Sequence, residues 1–434
     1  MRPGRERTRI VNGIGAWVLC AAGLMANVVA AGELRGYVRD ASTGQPIANA
    51  VMTAQGQVSA TNRQGAFVIE ADTGQIQARA PGYRAMQQRW TGEDVVFDLS
   101  PFRPRALYLS TFGVADASLR TAAERLVEQG AINALVIDAK GDRGQFSYPS
   151  PAGTDANAHT AVAVPTTGKL QSLVARWHER GVYLIARVVV FKDDPLAAAH
   201  PEWAVRRSNG EVWRDHEQSR WIDPSIGEAW SHYADIAEEV AQIGFDEIQL
   251  DYVRFPDAQG LVFSTDNTQA NRRDAIHGFL RTIRKRLTPY NVFLSADVFG
   301  YVCWNRNDTG IGQQLEDLGD VVDYVSPMLY PSGFTWGISG IARPTDDPGQ
   351  IVLRSLAQAQ ARTGWPGLRF RPWLQAFRDY AFDHRAFGPE ELNAQMRAAD
   401  AMRTDGWMLW NPRNQYPDVP MAIDAAAPSI DDRQ

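Results

Sequence analysis

Beyond Arg105, short apolar runs alternate with longer stretches whose apolar residues recur at every third or fourth position. The runs are "RALYLSTFGV", "INALVIDAKGD", "VYLIARVVVFKDD", "FDEIQLDYV", "NVFLSADVFG", "VDYVSPMLYPSGF", "LRFRPWLQAF" and "WMLWNP". Helical patterns lie between most of them. In "RRDAIHGFLRTIRKRL", Ile276, Phe279, Leu280, Ile283 and Leu287 mark one face of a helix. Eight strand candidates separated by helices predict an α/β fold, a (β/α)8 TIM barrel with a long insertion after its third strand. A doubly wound open sheet is the rival, disfavoured by eight regular units and by the lack of a Gly-rich phosphate turn.

Residues 33–101 obey a different rule. Runs such as "LRGYVRD", "GQVSATNRQGAFVIEAD" and "EDVVFDLS" alternate with period two and are punctuated by Gly, Asn and Pro, which predicts a small all-β sandwich. "SPFRPRA" reads as the linker to the barrel. The expected organisation is a leader over 1–31, the sandwich over 33–101, the barrel over 104–420 and a tail over 421–434.

One barrel strand is unusual. In "FDEIQLDYVRFPD", Ile248, Leu250 and Tyr252 point one way, and Glu247, Gln249 and Asp251 the other. A parallel barrel strand is covered on both sides, so the apolar set faces the helices and the polar set faces the lumen. An unpaired buried carboxylate costs several kcal/mol, so each acid needs a partner or a use. Asp251 falls near the strand's C-terminal end, where barrel enzymes build active sites; the alternative is a buried acid salt-bridged to Arg254 or Arg187. The next strand repeats the pattern, with Phe293, Ser295 and Asp297 on one face. Asp138 and Lys140 share a face at another strand end. Tyr330, Trp373, Gln375, Trp410 and Asn411 complete a mouth furnished with flat rings and hydrogen-bonding groups, as carbohydrate sites are.

Glu247 reads as the structural partner of an inward arginine, and Arg254 as paired with a carboxylate, from Asp251 or a neighbouring strand. Asp223 or Ser225 of "WIDPS" is expected to cap the helix that precedes the fourth strand. Trp203, Trp213 and Trp221 either line a sugar subsite or pack the insertion down.

Four arginines precede an apolar run from Ile10 to Ala31 that ends in small residues, the pattern of a Sec-type signal peptide. Its removal takes net charge from −6 to −9 and leaves Cys303 as the one cysteine, so no internal disulfide is expected in a periplasmic or secreted protein. Nothing later reads as a membrane span. Four lysines and no basic stripe argue against nucleic acid as partner. HExxH, paired His/Cys ligands, G-x-S-x-G and the P-loop are all absent. No cofactor is expected, and a structural calcium on loop aspartates is left open.

Two resemblances add to this reading. The order "GYVRD…TGQPIANA…TNRQGAFVI…APGY" resembles the carboxypeptidase regulatory-like (transthyretin-like) domain, which implies a seven-strand accessory sandwich. The stretch 221–256, with "VIDAKGDRG", "VSPMLYPSG" and "PWLQAF", resembles a bacterial family of glycoside-hydrolase-like domains over roughly 104–415. Its fourth-strand pattern is similar to the α-amylase superfamily, which implies Asp251 as nucleophile and Asp297 as proton donor. The chain departs from that pattern: Gln249 stands where Arg is usual, Asp297 where Glu is usual, and a third acid exists only if Asp379 reaches the site. The expected activity is hydrolysis of a poly- or oligosaccharide by two carboxylates, with retention. The alternatives are a non-catalytic glycan-binding protein and an envelope or exopolysaccharide scaffold. The oligomeric state is left open.

Overall fold

The computed structural model describes residues 32–72, 74–154, 170–416 and 419. The leader expected over 1–31 and the tail expected over 421–434 lie outside the described residues. Eight parallel strands close into a barrel in chain order: Arg105–Leu109, Ala134–Lys140, Tyr183–Val189, Glu247–Asp251, Phe293–Phe299, Tyr324–Met328, Trp373–Gln375 and Trp407–Trp410. They are the eight runs that the hydrophobic pattern singles out.

The two-residue alternation divides the barrel's apolar side chains into separate cores. Leu107, Leu135, Ile137, Leu184, Ile248 and Leu250 belong to the outer core, with helix residues such as Val174, Val240 and Phe279. Ala106, Tyr108, Val136, Ile185, Phe293 and Trp373 form the lumen cluster. Gly244, in the left-handed region at φ 107°, ends the helix Gly227–Ile243 and turns the chain into the fourth strand. That helix starts at Ile226 without a side-chain cap. The cap expected from Asp223 or Ser225 is absent because the Asp223 carboxylate instead accepts from the backbone N–H of Ser225 (2.9 Å) and of Ser264 (2.6 Å), tying two loops together.

The lumen is charged at its lower level as well as at its mouth. Glu247, fully buried, accepts from Tyr183 Oη (2.9 Å), Ser295 Oγ (2.6 Å) and Arg371. Arg371 also donates to Asp405 Oδ2 (2.6 Å) and lies 4.0 Å from the Tyr324 ring centre. Glu247 is thus the partner of an inward arginine. One level higher, Gln249 donates to Ser326 Oγ (3.2 Å).

Residues 32–99 form two sheets, one of three strands and one of four, around their own apolar core. They dock on the end of the barrel where strands begin. Arg84 donates to Gly181 O (2.6 Å), Asn291 to Met86 O (2.9 Å), and Arg79 lies 3.7 Å from Asp323. Phe102 packs beneath the lumen cluster, 5.5 Å from the Tyr183 ring, and closes that end. Among the described residues no helix is long and apolar enough to cross a membrane.

Removing one member of a buried ion pair costs more than removing both. Arg371→Met is expected to lower unfolding free energy by about 3–5 kcal/mol, and the double variant Arg371→Met/Glu247→Gln to recover part of that. Urea denaturation of the single and double variants checks it.

Candidate active site

Strand register assembles the mouth. Leu250 pairs with Ala296, so Asp251 and Asp297 occupy the next rung on neighbouring strands, which run about 4.8 Å apart. Across the other edge of the fourth strand, Arg187 pairs with Gln249 and Val189 with Asp251, while Asp138 pairs with Arg187 on the second strand. Three acids and one guanidinium therefore converge at the C-terminal ends of strands two to five.

Arg187 bridges two of those acids. Its Nη1 donates to Asp138 Oδ1 (2.6 Å), while Nε (2.9 Å) and Nη2 (2.5 Å) donate to Asp251 Oδ2. The other oxygen of Asp251 accepts from the Tyr252 backbone N–H at 2.6 Å. Tyr252 is held at φ 54°, a left-handed conformation that costs a non-glycine residue about 1 kcal/mol or more. The strand ends at Asp251, and Tyr252 packs against the outer core that holds Ile248 and Leu250. It packs against Trp221 at the mouth, with ring centres 5.5 Å apart.

The acids differ in electrostatics. Burial works against the Arg187 cation, and Asp138 and Asp251 more than offset it, holding its pKa above the usual range. Asp138, buried between Arg187 and the Tyr108 hydroxyl (2.5 Å), is pushed up to about 6, with desolvation the largest cause and Arg187 opposing. Asp297 is only 1% exposed and is driven well above the carboxylate range by burial first and by the Asp251 charge second. The Trp373 indole N–H, 2.8 Å from Asp297 Oδ1, moderates that rise. Asp251, 7% exposed, lies nearer solvent.

Tyr330 and Trp410 stand at the same mouth. The Tyr330 hydroxyl is raised by burial and then by Asp297 and Asp251. Trp410 stacks on Tyr108 with centroids 3.9 Å apart, and the Arg187 guanidinium lies 5.0 Å over its ring. Trp373 is buried beneath, edge-on to Trp410 at 5.4 Å. Gln375 is buried too, accepting from Ser332 N (3.0 Å) and donating to Ser332 Oγ (2.7 Å). Asn411 donates to Ala376 O (2.7 Å) and Gln415 O (2.8 Å), bracing its own loop.

Two pairings differ from expectation. Asp138 and Lys140 do not share a face, because a register irregularity beside Arg187 breaks the alternation between them. Lys140 turns away to Asp193 (2.8 Å) and Val189 O (2.8 Å). Arg254 makes no ion pair among the described residues and is enclosed by rings instead. Trp213 and Trp221 are buried, packing the insertion down. Asp379 is a loop clamp rather than a third acid at the mouth. It accepts from Ser332 Oγ (2.6 Å) and from four backbone N–H groups between Ala381 and His384.

Tyr108 is a residue that the sequence reading left out of the site, and Arg187 entered it only as an alternative salt-bridge partner of Asp251, which it is. Their signal was available: Ala106–Tyr108 and Tyr183–Ile185–Arg187 carry the period-two alternation that identifies Asp251. No group of three or more His, Cys, Asp or Glu among the described residues is arranged to hold a metal ion.

Comparison with known proteins places this geometry in a family. Residues 106–416 match the family model described as "Putative glycosyl hydrolase domain". Among solved structures, the glycoside hydrolase domain of PgaB (BpsB) from Bordetella bronchiseptica is similar at 17% identity and TM-score 0.53, covering 74% of this chain and 97% of its own. A hypothetical protein from Ruminiclostridium thermocellum is 33% identical over 44% of this chain and 97% of its own, with TM-score 0.39. The glycoside hydrolase domain of PelA from Pseudomonas aeruginosa is 15% identical, covers 72% of this chain and 97% of its own, and has TM-score 0.39. No curated protein sequence matches the chain.

The raised pKa of Asp297 fixes the sign of a pH effect. The folded chain binds the proton more tightly than the unfolded one, so this group's contribution is present at low pH and lost as pH rises toward the folded value. Asn does not titrate. The stability of Asp297→Asn relative to wild type is therefore expected to rise with pH, by at most about 1.4 kcal/mol per unit. Urea unfolding of both proteins from about pH 5 to about pH 8 tests the slope.

Proposed function

The chain belongs to that glycosyl hydrolase domain family, and on this premise we propose that it cleaves glycosidic bonds of a poly- or oligosaccharide with retention, using Asp251 as nucleophile and Asp297 as acid/base. The observation that carries the reading is the pairing of unlike carboxylates on adjacent strands. Asp251 is ion-paired to Arg187, while burial raises the pKa of Asp297 and favours its protonated form. Neighbouring acids in contrasting environments are how one site supplies a nucleophile and a proton donor together. Adjacent rungs suit the roughly 5 Å carboxylate separation of retaining enzymes.

In this reading, Asp251 attacks the anomeric carbon while Asp297 gives its proton to the departing glycosidic oxygen. The glycosyl–Asp251 ester is then hydrolysed by a water that Asp297 deprotonates, which restores both groups. Arg187 keeps the Asp251 oxygens oriented, and Asp138 with Tyr108 keeps Arg187 in place. Tyr330 and Trp410 offer a hydroxyl and a ring face to the sugar. The N-terminal sheets serve as a carboxypeptidase regulatory-like accessory module, and the leader directs the protein to the periplasm or outside.

The rival reading, a glycan-binding protein without turnover, is favoured by the depth of Asp297. The two separate on a panel of α-glucans, bacterial exopolysaccharides and peptidoglycan. Hydrolysis predicts reducing ends from wild type, with kcat lower by at least about 10²-fold in Asp297→Asn and by more in Asp251→Asn. The alkaline limb of the kcat/KM profile should also disappear with Asp297. Binding that neither substitution alters, with no reducing ends from wild type, means a lectin-like protein.

A further inference from the structure

Three residues past Asp251, the Arg254 guanidinium sits in a cage of rings. Its centre lies 4.5 Å from the Phe299 ring, 4.8 Å from Trp221 and 5.2 Å from Tyr252. These come from the end of the fifth strand, the insertion after the third and the end of the fourth, so the cage belongs to the mouth that holds Asp251 and Asp297. Within the protein, Arg254 Nη1 donates to Phe255 O at 3.1 Å, which leaves most of its N–H donors uncommitted.

The contrast with the neighbouring cations is informative. Arg187 and Arg371 each engage two carboxylates. Lys192, 5.1 Å from the same Tyr252 ring, is matched by Glu217 (2.6 Å) and Asp215 (3.5 Å). Arg254 has no ion-pair partner among the described residues, and burial pulls its pKa down further than the more distant Asp251, Asp257 and Asp215 restore it. The rings hold the cation with their π faces, which recovers part of its lost hydration but supplies no counter-charge. A half-buried fork with free donors suits an incoming oxyanion.

We propose that Arg254 recognises an oxyanion on the glycan, a uronic carboxylate or a phosphate ester, carried by the sugar seated beside Asp251. This substrate class rests on the glycoside-hydrolase reading above. Without such a cation, an anionic sugar would be repelled by the acids of the mouth. With it, the charge that repels becomes the charge that positions.

The test uses the full chain carrying Asp251→Asn, so that ligands are bound but not consumed. Uronate oligosaccharides (glucuronate, mannuronate, galacturonate), phosphorylated oligosaccharides and their neutral counterparts are titrated by calorimetry. At least one anionic set is expected to bind about tenfold or more tighter than its neutral counterpart, with a preference that weakens as NaCl is added. Whether the uronates or the phosphates show that preference identifies the anion. Adding Arg254→Gln should abolish the preference while neutral binding persists, which also controls for folding, and Arg254→Lys should keep only part of it. Equal affinity for neutral and charged glycans, or a preference that survives Arg254→Gln, overturns the role of Arg254 and leaves the hydrolase reading standing. No binding in this background and no cleavage of any glycan by wild type sinks both.

Discussion

The mouth of the barrel depends on a guanidinium held between two carboxylates, Arg187 between Asp138 and Asp251. The top of the lumen gathers three acids within a few rungs of one another, and one strong cation lies among them. Two acids share that cation, and Tyr108 donates to one of them. A third negative charge would have no counter-ion in a water-poor space, and burial together with the Asp251 charge raises the pKa of Asp297. The acid–base asymmetry of the site is a consequence of counting charges in a closed volume. No special property of Asp297 is required.

Much of this was legible in the chain. Alternation with period two named the eight strands and divided lumen-facing from helix-facing side chains, because a residue on a parallel barrel strand has only those two directions. The same rule pointed to Asp251, Asp297 and Glu247. It failed where the backbone departs from a regular strand. The register irregularity at the end of the second strand separated Asp138 from Lys140. Nor does a sequence reveal which amides have neighbours that use up their hydrogen bonds. Gln375 and Asn411 read as ligand groups, yet both brace loops. Arg254 was expected to find a carboxylate, and what surrounds it is aromatic, because the insertion and two strand ends meet there without an acid at the right height.

The departures from the amylase-like pattern have a structural counterpart. The arginine missing at position 249 has a substitute in Arg187, whose backbone is paired with Gln249 from the neighbouring strand. A guanidinium two residues before Asp251 on the same strand and one across the ladder both arrive at its carboxylate. This is a lateral exchange that a linear motif cannot express. Asp379, the one candidate for a third acid, instead gathers the N–H groups of its own loop, which leaves Asp251, Asp297 and the Arg187 cluster at the mouth.

The sandwich and Phe102 occupy the floor of the barrel. The lumen is therefore a cup, and whatever enters through its rim departs the same way. A long polymer cannot be threaded through such a vessel and must lie across the rim or offer it a chain end.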